Sequence, residues 1–285
     1  MKNKRNFIYL ILALLLPMLY HGLNKLWYYL ILDLNAIDLL PNFLRTHILT
    51  NAMSLDAIFC MLIIILVLPF YFKFKKEDKE QMPAEYVQSI TVRAVLICIV
   101  IAFGLAGVSA IYQIILRQFF MGVSSVAESV KSFDQTFQSS TTMAAYVWSF
   151  LSVAILGPIV EELIFRGVLF SGINRYVSGF WTVIITAVYF GLWHSNPMQV
   201  LYTTLLGLGF GFAYATTRNI WFPMLIHLVN NMISQLPPSL ENNENFVLMM
   251  VILRFVAIIP MLIILYKMIK KNKPALNWYN KGSIQ

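Results

Sequence analysis

Eight runs of apolar residues follow one another along the chain, at roughly 7–30, 56–74, 92–117, 144–173, 179–195, 198–216, 221–237 and 246–268. A helix needs about 20 apolar residues to cross the hydrocarbon core of a bilayer. The sequence therefore predicts an all-α, polytopic membrane protein of about eight transmembrane helices. Composition agrees: 59% of residues are hydrophobic and 12% charged, against about 25% charged in a soluble domain.

A net charge of +8 invites a nucleic-acid reading, but the Lys and Arg residues gather at span ends and form no patch among aromatics. Placing the N-terminus in the cytoplasm puts fifteen of the 21 Lys and Arg on that side and four on the other, with Arg166 and Arg254 left inside spans. That is the asymmetry of a protein with both termini inside, and it accounts for the basic charge without an anionic partner. The expected partners are membrane lipid and a membrane-associated substrate, with no nucleic acid. The basic, then apolar N-terminus resembles a signal peptide but lacks a small-x-small cleavage site, so a retained first span is expected. Cys60 and Cys98 both lie in apolar runs without a C-x-x-C partner and read as core residues.

Inside the run AAYVWSFLSVAILGPIVEELIFRGVLFSGI (144–173) stand two adjacent acids, Glu161 and Glu162, and Arg166. A carboxylate in hydrocarbon costs a few kcal/mol or more, so an intramembrane acid is a functional candidate by default. Glu162 and Arg166 are i,i+4 and share a face, whereas Glu161 is rotated about 100° from Glu162. Gly157-Pro158 just upstream is expected to kink the helix and free backbone carbonyls. Two later runs carry His194, with Phe190 at i−4, and His227, with Asn231 at i+4. With Arg175, Ser178 and Arg218 marking the cytoplasmic boundary, Glu161, His194 and Asn231 fall about 20–24 Å, and His227 about 14 Å, into the bilayer at 1.5 Å per residue.

A carboxylate and an imidazole converging on one water form a general base for attack on a carbonyl. A second His and an Asn supply donors for the oxyanion that results. Peptide hydrolysis then needs neither a serine nor a cysteine nucleophile. The alternative is a divalent metal such as zinc held by Glu161, His194 and His227 with one position open for water, although the H-E-x-x-H signature is absent. Blander readings stand beside these. The two glutamates suit a structural ion-pair cluster, His194 a capped helix end, His227 a satisfied core histidine and Asn230 helix–helix glue. Arg254 is expected to snorkel or to pair with Glu128 or Glu241. His21 and His47 are expected to be solvated. The glycines at 207, 209 and 211 are expected to permit close helix packing.

E-E-x-x-x-R (Glu161, Glu162, Arg166), F-x-x-x-H (Phe190, His194) and H-x-x-x-N (His227, Asn231), in that order on successive apolar segments, resemble the CPBP family of intramembrane proteases. This family, also called Abi or CAAX-protease-and-bacteriocin-processing, includes the Ras-converting CAAX protease. The resemblance covers about 145–236. It implies that Glu161 and His194 activate water, that His227 and Asn231 stabilise the oxyanion, and that Glu162 and Arg166 support the site, by a metal-independent glutamate mechanism requiring no cofactor. Short loops without targeting features point to a bacterial cell membrane, and the expected roles are peptide maturation, bacteriocin self-immunity or signalling. The expected division is N-terminal spans (1–143), a four-helix catalytic core (144–237) and a last span with a cytoplasmic tail (238–285). Two rivals share the composition: a non-catalytic membrane scaffold or regulator of the same fold, and a proton-coupled transporter. No internal repeat favours the transporter.

Overall fold

The structure is a computed structural model and describes residues 2–33, 36–136 and 142–278. Part of the Ser/Thr-rich connection (137–141) and the end of the tail (279–285, with Lys281) lie outside the described residues. Among the described residues, ten helices of nine residues or more are α1 (Lys2–Tyr28), α2 (Asn42–Thr50), α3 (Met53–Gln81), α4 (Val92–Phe119), α5 (Ser124–Thr136), α6 (Met143–Ile173), α7 (Gly179–Trp193), α8 (Pro197–Thr217), α9 (Trp221–Ser234) and α10 (Glu244–Lys271). Among the described residues there is no strand. Starts are written in the sequence. The hydroxyls of Thr91 and Thr142 and the amide oxygens of Asn196 and Asn243 accept the first free N–H groups of α4, α6, α8 and α10, as N-caps should.

All eight apolar runs are helical, and six of the helices are long and apolar enough to span a bilayer. The other two, α7 and α9, have 15 and 14 residues. At 1.5 Å per residue they reach about 21–23 Å, short of the roughly 30 Å hydrocarbon core. α7 stops because the chain turns at Ser195, whose φ of 61° is left-handed, and restarts at Asn196-Pro197. The two short helices flank α8: His194 caps the C-terminal end of α7, and His227 sits midway along α9.

α7 and α8 lie in close contact. A Cβ on Gly191 would meet the Thr204 hydroxyl and come within 2.5 Å of Val200 O, and one on Gly207 would lie 3.1 Å from Ala187 Cα. This matches the small-residue packing expected of the glycine stripe. A Gly191→Val protein should lose about 1–3 kcal/mol through overpacking, read as a lowered unfolding midpoint in detergent micelles.

The two arginines taken to mark the cytoplasmic boundary are not solvent-facing. Arg175 is 2% exposed and Arg218 9%. Arg175 bonds Asn6 Oδ1 and Glu77 Oε2, both at 3.1 Å, and packs its guanidinium on Tyr9 and Phe74. Arg218 bonds Asn174 Oδ1 (2.8 Å) and Ala275 O (2.6 Å). Together they close one end of the bundle and tie α1, α3 and the segment after α10 to the ends of α6 and α8. His21 likewise departs from its expected solvation: its Nε2 lies 2.6 Å from Trp193 O and its ring lies 4.6 Å from the indole. Arg254 donates to Ile233 O at 2.6 Å and so caps the last turn of α9.

Candidate active site

The site begins with a backbone irregularity in α6. Around Gly157 the helix widens to π register, the Gly157 N–H donating to Ser152 O five residues back. A second wide stretch follows at Leu163–Leu169, where the Phe170 N–H donates to Phe165 O. Proline permits the first. In π register Val153 O would accept from residue 158, which is a proline and has no N–H. The Asn231 amide of α9 takes that place, Nδ2 to Val153 O at 2.9 Å. The kink anticipated at Gly157-Pro158 is thus realised as a wide turn, and the freed carbonyl is met by one of the expected site residues. Such π-turns occur frequently at functional sites.

One turn further on, Glu162 and Arg166 are both fully buried and paired, Arg166 Nη1 donating to Glu162 Oε1 at 2.8 Å. Arg166 Nη2 donates to Gly207 O at 3.0 Å, and the guanidinium lies over the rings of Phe190 and Phe210 at 5.0 and 5.3 Å. The same Oε1 of Glu162 is 2.9 Å from His227 Nδ1. The other imidazole nitrogen, Nε2, faces Glu161 Oε2 at 3.7 Å. His227 is therefore gripped between the two carboxylates, with Phe210 stacked on its face at 4.5 Å. Glu161 Oε2 is buried and lacks a hydrogen-bond partner among the described residues, although its side chain as a whole retains 18% exposure.

His194 sits at the end of α7. Its Nδ1 is 2.8 Å from Phe190 O. A carbonyl only accepts, so Nδ1 carries the proton and Nε2 presents a lone pair. The ring of Phe190 stands edge-on to both His194 (4.7 Å) and His227 (6.0 Å). Of the residues singled out from sequence, Glu161, Glu162, Arg166 and His227 form one connected cluster, and Asn231 holds the wide turn beside it. His194 joins them across Phe190, without a hydrogen bond to Glu161 or His227. Among the described residues no three His, Cys, Asp or Glu side chains are grouped as a metal site.

Sequence reasoning missed three participants. Gly207 and Phe210 of α8 looked like packing residues, and nothing in their types separates them from the rest of the glycine stripe. Asp56 was legible. It is an acid at the start of an apolar run, the same signal that drew attention to Glu161. Its carboxylate accepts a hydrogen bond from Ser152 Oγ.

Residues 143–233 match the family model described as type II CAAX prenyl endopeptidase Rce1-like. The family resemblance stands. Over 88 residues the chain is 39% identical to "Putative membrane peptidase YdiL" of Bacillus subtilis (strain 168), covering 30% of this chain and 36% of that protein. Over 85 residues it is 29% identical to "Membrane-embedded CAAX protease MroQ" of Staphylococcus aureus (strain USA300), covering 28% and 34%. The matched segment spans about a third of each relative. No solved structure matches significantly. The Rce1-like segment coincides with α6–α9, the four helices that carry the cluster.

Proposed function

We propose that this protein is an intramembrane endopeptidase that hydrolyses a peptide bond of a membrane-associated protein or peptide with a water activated by Glu161 and His194. The observation that carries the reading is the 3.7 Å gap between Glu161 Oε2 and His227 Nε2. That distance is too long for a direct hydrogen bond, yet a single water can sit at hydrogen-bonding distance from both atoms. Glu161, without another partner for Oε2, takes a proton from the water as its oxygen attacks the scissile carbonyl. His194, whose Nε2 carries a lone pair because Nδ1 donates to Phe190 O, is the second residue assigned to the water. The proton then passes to the leaving amine.

His227 serves the oxyanion only as an imidazolium, because Nδ1–H is committed to Glu162 and Nε2 must also donate. With His227 charged, Glu161, Glu162, Arg166 and His227 sum to zero, an arrangement that low dielectric favours. Asn231 has two N–H groups: one holds Val153 O, and the other is available to the oxyanion. An Asn231→Ala protein should lose about 10²–10³-fold in kcat with little change in KM, the usual effect of removing one oxyanion donor. The mechanism carries no metal step. Purified protein in proteoliposomes should therefore keep full activity in EDTA or 1,10-phenanthroline; loss of activity restored by zinc would replace this account with the metallo-alternative.

Similarity to bacterial proteins named as a membrane peptidase and a CAAX protease supports a bacterial cell-membrane setting, and the Lys/Arg asymmetry supports cytoplasmic termini; peptide maturation is the role we assign. The test is terminal-peptide profiling of membranes from cells expressing the wild type, Glu161→Ala or His194→Ala. A cleavage present in the first and absent from both variants is expected. Identical profiles from equally abundant proteins would favour the scaffold reading.

A further inference from the structure

We infer that Asp56 is a positioning residue for Glu161, acting through Ser152 on the wide turn of α6. Asp56 lies in α3, outside the segment that matches the family model. Ser152 is 1% exposed and is the residue whose carbonyl receives the Gly157 N–H in the wide turn. A buried helical serine commonly bonds the carbonyl four residues back. Here the hydroxyl instead reaches across to the Asp56 carboxylate. The next residue, Val153, is held from the opposite side by Asn231. The turn is thus gripped between α3 and α9 at two successive residues.

What the grip controls is rotational register. A π-turn accommodates one residue more than an α-turn, and each residue is worth about 100° of rotation. If the wide turn relaxed to α-helical register, every side chain beyond it would swing by about that angle, and Glu161 would leave His227 Nε2. Proline permits the wide turn; the two tethers fix it in place. A carboxylate is the strongest acceptor for the Ser152 hydroxyl, which accounts for an acid at a position where hydrocarbon makes one costly.

The kinetic arm of the test rests on the proteolytic reading. With a cleavage reporter taken from the profiling above, Ser152→Ala and Asp56→Leu should each lower kcat by about 10²-fold, as misplacement of a reacting group by an ångström does, with KM unchanged. The double variant should be no worse than either single one. Asp56→Asn, which keeps an acceptor for the hydroxyl, should rescue most of the loss. Should Asp56→Leu fail to fold, Ser152→Ala carries the test. Unchanged kcat, or a loss confined to KM, overturns the inference. A second arm needs no substrate. In a Cys60→Ala, Cys98→Ala background, the thiol of Glu161→Cys is alkylated with N-ethylmaleimide, with and without Ser152→Ala. Release of the turn should change the rate at least about threefold by altering thiol exposure. An unchanged rate overturns the positioning role whether or not the protein proves to be a protease.

Discussion

Glu161→Gln should yield a protein that folds, inserts and no longer cleaves. The amide keeps the size and shape of the carboxyl, so the packing of α6 against α9 is undisturbed, but it cannot take a proton from water. Removal of a general base costs about 10²–10⁴-fold in rate, and the loss should fall on kcat. The neighbouring residue is the control. Glu162 is fully buried and bonded to both Arg166 and His227, so Glu162→Gln should disturb stability as well as rate. A scaffold would show neither effect on cleavage, and a Glu161→Gln protein with normal turnover at normal abundance would remove Glu161 from the chemistry. The measurement is single-turnover cleavage in proteoliposomes beside an unfolding midpoint in micelles.

The membrane made much of this site legible. In a soluble chain an E-E-x-x-x-R stretch is an ordinary solvated helix face; in an apolar run of thirty residues it demands an explanation. The i,i+4 spacing gave the Glu162–Arg166 pair directly, and the rotation between adjacent residues left Glu161 for other work. Spacing did not disclose that Glu162 also grips His227, because that contact joins residues 65 apart and depends on how α6 meets α9. It was silent too on the aromatic enclosure: Phe210 stacks on His227 only because α8 turns that face inward.

The helix count shows a different limit. Hydropathy locates apolar runs but does not see where a helix ends inside one. α7 is cut short at residues 194–197 by His-Ser-Asn-Pro, where a left-handed residue, a cap and a proline follow one another. The run read from sequence ends at 195, next to these signals, but still counts as a full span. Boundary arginines misled for a related reason. Positive-inside counting treats each cation as facing water, whereas Arg175 and Arg218 spend their donors on side chains and carbonyls of other helices. The bias in numbers remains, but these two charges also act as fasteners.

Arg166→Met should be the most destabilising single change in the core. Methionine retains much of the aliphatic stem but loses the bond to Glu162, the bond to Gly207 O and the contact with two aromatic faces. Glu162 is then a fully buried carboxylate with one imidazole for company. Breaking a buried ion pair from one side costs about 3–5 kcal/mol, whereas replacing both partners by apolar residues of similar volume is often neutral or better. The single variant should therefore show a strongly lowered unfolding midpoint and poor yield, and Glu162→Leu combined with Arg166→Met should recover most of both. Activity should not recover with it. His227 would have lost the carboxylate on Nδ1, and removing the equivalent carboxylate in serine proteases drops kcat by about 10⁴. Arg166→Lys falls between, keeping a charge but not the planar fork that reaches Glu162 and Gly207 O together. Stability and catalysis thus separate at this pair. Were the single variant as stable as the wild type, or the double variant as active, the buried pair would be neither the lock of the bundle nor the anchor of the imidazole.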